Sequence, residues 1–91
     1  MTAALWVRGY NPPMHVFLRQ DPVGTEPAHY LELTLVPDLF GSRWELLLES
    51  GPVGGRASLR RQHYDTAADA QAAFDKARDA VLRRGYQIII R

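Results

Sequence analysis

The sequence predicts an α+β domain: an antiparallel sheet of four or five strands with one C-terminal helix packed on one face. Three observations carry that expectation. Leu31, Leu33 and Leu35 alternate with Tyr30, Glu32 and Thr34, the period of a strand with one buried face. Ala70, Ala73, Phe74, Ala77 and Val81 recur at helical spacing and form one apolar stripe. Strand patterns precede the single helix pattern instead of alternating with it, which segregates helix from sheet. A chain of 91 residues buries roughly 60–65% of its unfolded surface, enough for one sheet carrying one helix.

In chain order, residues 1–13 show no sustained period, and Asn11-Pro12-Pro13 stops any strand. They are expected to form a loosely held extension, with a single domain spanning 14–91. Residues 14–19, MHVFLR, begin the first strand, and Asp21 to Pro27 is a loop by composition. The leucine alternation places the second strand at 30–36. Pro37-Asp38-Leu39-Phe40-Gly41 is a turn containing two apolar residues, so it is expected to pack against the body. The third strand, 44–49, turns Trp44, Leu46 and Leu48 inward and Glu45, Leu47 and Glu49 outward. Ser50-Gly51-Pro52-Val53-Gly54-Gly55 then forms a six-residue connection, long for a hairpin that two residues can close. A fourth strand follows at 56–64.

Thr66 is placed to cap the helix, with Asp69 three residues on at capping-box spacing. Arg83 and Arg84 suit the negative end of the helix dipole, and Gly85 suits the C′ position. Gln87 to Ile90 is available as a last edge strand. Three consecutive isoleucines on an open edge invite aggregation, so the chain or a partner is expected to cover them.

The chemistry-bearing residues narrow the function. There is no cysteine, which excludes disulfides, thiolate catalysis and cysteine zinc sites. His15, His29 and His63 are far apart with no partner at metal-ligand spacing. No nucleophile elbow, phosphate loop or dinucleotide fingerprint is present. The expectation is a non-catalytic domain without metal or cofactor. No apolar run approaches the ~20 residues that span a bilayer. The N-terminus has neither the basic region nor the apolar core of a signal peptide, which points to a cytoplasmic location of bacterial type.

Net charge is +1, yet ten of the eleven basic residues are arginine, the better fork for phosphate. Arg56, Arg60, Arg61, Arg83 and Arg84 are the candidate nucleic-acid-binding residues, since phosphate recognition needs several positive donors on one surface. Asp65, Asp69, Asp75 and Asp79 confine any positive surface to part of the molecule. Among the aromatics, Trp6, Trp44, Tyr30, Tyr64 and Tyr86 are candidates for base stacking. Trp44 alternates with leucines and is expected in the core.

The stretch from Tyr30 to Tyr86 resembles the WGR domain family. The resemblance rests on "PDLFG" before the third strand, the GxxG of Gly51-Pro52-Val53-Gly54 after it, and a helix ending in "RRGY". The family's motif is Trp-Gly-Arg followed by an apolar residue and glycine. The corresponding residues here are Ser50, Gly51, Pro52, Val53 and Gly54, so the glycines and the apolar residue match and the tryptophan and arginine do not. The resemblance implies a nucleic-acid-associated module, as in poly(ADP-ribose) polymerases, where the domain contacts DNA ends and neighbouring domains. Two readings follow. One is weak binding of DNA or RNA through arginine–phosphate contacts. The other is a module of the same fold that binds another protein or a second copy of itself, with nucleic-acid binding lost.

Overall fold

The computed structural model describes residues 14–38 and 43–89. The predicted extension at 1–13, Leu39 and Phe40 of the apolar turn, and Ile90 lie outside the described residues. The elements run β1 (Met14–Gln20), β2 (His29–Pro37), β3 (Trp44–Pro52), β4 (Ser58–Tyr64), α1 (Ala67–Leu82) and β5 (Gln87–Ile89). All neighbouring strands pair antiparallel in one five-stranded sheet of order β4-β3-β2-β1-β5. The chain builds β1 to β4 as a meander and returns through α1 to add β5 beside β1.

Register follows from the leucines. Leu33 lies opposite Val16 on one side and Leu48 on the other, and Leu35 lies opposite Met14 and Leu46. Because side chains directly opposite share a face, these residues make one apolar surface, and a one-residue slip would turn it to solvent. The α1 stripe closes over it, chiefly across β2, β3 and β4. Leu18, Leu31, Leu33, Leu35, Leu46, Ala70, Phe74 and Val81 form the buried cluster, flanked by half-buried Met14, Val16, Trp44 and Leu48. Each fully buried leucine contributes about 1.5–3 kcal/mol by leaving water.

The ends of α1 are fixed by local chemistry. Thr66 is extended, at φ −126° and ψ 153°, and its Oγ1 accepts the Asp69 N–H. At the other end Tyr86 N–H donates to the Val81 carbonyl and Gly85 N–H to that of Leu82. These are the paired bonds of a Schellman motif, with Gly85 at C′ and φ +92°. Thr66→Ala is expected to lower stability by about 1 kcal/mol, read as a lower urea midpoint. An unchanged midpoint would mean the cap hydrogen bond contributes nothing net.

Two strand boundaries correct the sequence expectation. The third strand does not stop at Glu49: Ser50, Gly51 and Pro52 continue it, paired with Leu31, Tyr30 and His29 of β2. The fourth strand begins at Ser58, not at Arg56, because pairing with β3 starts only at Ser50 opposite Ser58. The two sheet edges differ. β4 is exposed from Ser58 to His63, and β5 leaves Ile88 and Ile89 exposed at 49% and 37%. The fold of the described residues therefore does not cover the isoleucine edge.

Candidate nucleic-acid interface

The glycine-rich connection has a definite geometry. Its first three residues belong to β3, and the reversal itself is Pro52-Val53-Gly54-Gly55, closed by Gly55 N–H to the Pro52 carbonyl at 3.0 Å. Gly54 has φ +82°, the value a type II turn requires at its third residue. Val53 N–H ties the turn to β2 through the Ala28 carbonyl at 2.8 Å. Gly51 is needed for a different reason. A Cβ there would meet the Arg56 carbonyl oxygen at 2.6 Å, so the segment entering β4 packs directly on the β3 backbone.

Extending β3 to Pro52 puts Ser50 on the core face, after Leu46 and Leu48. Serine is too small to fill that position beside the end of α1, and a cavity of about 380 Å³ results. Its apolar walls are Leu31 and Leu48 from the sheet and Ala77 and Val81 from the helix. Its polar rim is His29, Tyr30, Ser50, Gly51, Arg84 and Tyr86. The Schellman turn places the last two: Tyr86 folds back toward Val81, and the Arg84 guanidinium lies over the Tyr86 ring, 5.7 Å from its centroid. The Arg84 carbonyl accepts from Gln20 Nε2 at 3.0 Å, fixing the turn against β1. Among the described residues no carboxylate lines the cavity.

The five predicted arginines do not form one surface. Arg84 lines the cavity, and Arg60 lies opposite Leu48 on the same face of the sheet. Arg61, its neighbour in β4, points to the opposite face and pairs with Glu45 at 3.5 Å. Arg56 follows the turn, its backbone against the side of Gly51 that faces away from the cavity. Arg83 caps α1 without lining the cavity. Among the described residues three acidic groups of the helix region are met by other cations, Asp75 and Asp79 by Arg78 and Asp65 by Arg43, whereas Asp69 at the start of α1 has no cation partner there. Arg56, Arg60, Arg83 and Arg84 carry no ion pair there.

The open face of the sheet is acidic and aromatic. Glu32 pairs with His15, and Glu45 with both Arg61 and His63. Glu49 accepts from the Tyr30 hydroxyl at 2.8 Å, and the Tyr30 ring stacks on Phe17 with centroids 5.7 Å apart. That hydrogen bond to Glu49, with partial burial and the nearby charges of Glu49 and Glu32, pushes the Tyr30 phenol above its ordinary pKa. With Val53 and Gly54 of the turn these groups border a second hollow of about 290 Å³. Among the described residues no three His, Asp or Glu side chains gather as a metal site requires. None of the described helices is long and apolar enough to cross a membrane.

Five cavity residues were not singled out by sequence reasoning as binding residues: His29, Leu31, the inward-facing Leu48, Ala77 and Val81. The available signal was Ser50 itself, a small polar residue two positions beyond Leu48 on an apolar face. Comparison with protein-family models, with curated proteins and with solved structures finds no match to this chain.

Proposed function

We propose that this is a non-catalytic WGR-like domain that binds DNA or RNA weakly through arginine–phosphate contacts. The observation that carries the reading is the separation of charge. Arg84 lines a cavity that no carboxylate among the described residues lines, and Arg60 lies opposite Leu48 on the same face of the sheet. Neither has a carboxylate partner among those residues, whereas Glu32, Glu45 and Glu49 lie on the opposite face. A polyanion approaching the helix side therefore meets positive groups not already neutralised. The WGR resemblance supports the same reading through Gly51 and Gly54, which carry the backbone geometry of the loop. The cytoplasmic location expected from the sequence belongs to this proposal.

Oligonucleotide titrations across a range of salt test it. Binding is expected to weaken as salt rises. The double substitution Arg60→Ala with Arg84→Ala should flatten the slope of log affinity against log salt by about 0.7–0.9 for each phosphate that the variant no longer neutralises. Absence of binding even at low salt would exclude the reading. One observation favours the alternative, a protein-interaction module of the same fold: the exposed Ile88 and Ile89 on the β5 edge. A dimer persisting at high salt, in a protein that binds no oligonucleotide, would establish that alternative.

A further inference from the structure

The walls of the cavity are unsuited to a phosphate. A phosphate group needs a dense set of N–H donors, and here Leu31, Leu48, Ala77 and Val81 supply apolar surface. We infer that the cavity takes one unpaired nucleobase while Arg60 and Arg84 hold the adjoining phosphates, so that the domain prefers single-stranded nucleic acid to intact duplex. The inference rests on the nucleic-acid reading above and specifies which part of the polymer enters the site.

Four features support it. A base is flat and apolar on its faces and polar at its edges, which matches apolar walls beneath a polar rim. Tyr86 offers an aromatic ring at the mouth, the kind of partner on which a base stacks, with the Arg84 guanidinium beside it 5.7 Å from the ring centroid and available to a phosphate. His29, Ser50 and the Gly51 backbone bring hydrogen-bonding groups to the rim, where a base edge would lie. The volume, about 380 Å³, falls near the lower end of small-molecule sites, which run to ~1,000 Å³, and suits one ring system. In a duplex each base is stacked and paired, and extracting one costs energy that a single strand does not require.

The test compares three labelled probes by fluorescence anisotropy at fixed salt: a short single strand, the same strand made abasic, and a blunt duplex. The intact strand is expected to bind about tenfold or more tightly than its abasic counterpart, the scale of one base stacked on aromatic groups. Ser50→Trp, whose indole would occupy the cavity, should remove that difference while leaving the salt slope unchanged. Should that variant fail to fold, Tyr86→Leu keeps the apolar bulk without the ring and should shrink the difference likewise. Equal binding of intact and abasic strands, with the salt dependence intact, would overturn the base pocket and leave the phosphate reading standing. No salt-dependent binding to any probe would overturn both.

Discussion

Phe74→Ala is expected to destabilise the domain by about 3–5 kcal/mol, the cost of truncating a buried aromatic. Phe74 is 2% exposed and belongs to the cluster built on Leu33 and Leu46, both essentially sealed from water. It lies one helical turn from Ala70, which has no exposed surface, so α1 and the sheet approach closely there. An alanine at 74 would leave a void that neither the backbone nor the neighbouring leucines can fill without breaking strand register. A domain of this size has about 0.05–0.15 kcal/mol of stability per residue, so the loss is a large share of the whole. Urea denaturation should show a much lower midpoint at an unchanged slope. A midpoint equal to that of the parent would mean that this face of the helix is not the packed one.

Gly51→Ala carries the second large effect, about 1–3 kcal/mol, the usual cost of overpacking. The added methyl would meet the Arg56 carbonyl at 2.6 Å and the Ala57 Cα at 3.3 Å. Both obstacles are main chain, so no side chain can rotate away, and the β3–β4 hairpin must open instead. The contrast with Gly54 separates two demands on glycine. At Gly54 nothing lies within 4 Å of an added Cβ, and only the positive φ resists substitution. The urea midpoint of Gly51→Ala, with amide exchange along β4, checks the prediction. Unchanged stability and unchanged protection would show that the contact is loose in solution.

Much of the fold was legible because its signals are local. The alternation of Leu31, Leu33 and Leu35 fixes one face of β2, and Thr66, the apolar stripe and Gly85 mark both ends of α1. Local preference ends the third strand at Glu49, because Gly51 and Pro52 are turn formers. Tertiary pairing with His29 and Tyr30 overrides that preference, and no local pattern announces it. The site was less legible for the same reason. Period two already sends Arg60 and Arg61 to opposite faces, but which face carries the helix depends on where its stripe docks. Arg84 and Ser50 are 34 positions apart in the chain; they meet only because α1 folds back over β3.

The unequal edges of the sheet have a consequence for how copies of the domain can associate. Pairing of β4 with its own copy across a two-fold axis centred on Arg61 would set arginine against arginine, with Arg60 beside them, and like charges opposed across strands are destabilising. That register is disfavoured for two copies of β4. β5 is the other border, short and rich in isoleucine, and nothing in its described residues repels a second β5. Were identical copies to pair only like edge to like edge, addition through β5 would end with a symmetric pair, whereas pairing of β5 with the β4 of another copy would leave open borders and grow into a fibre.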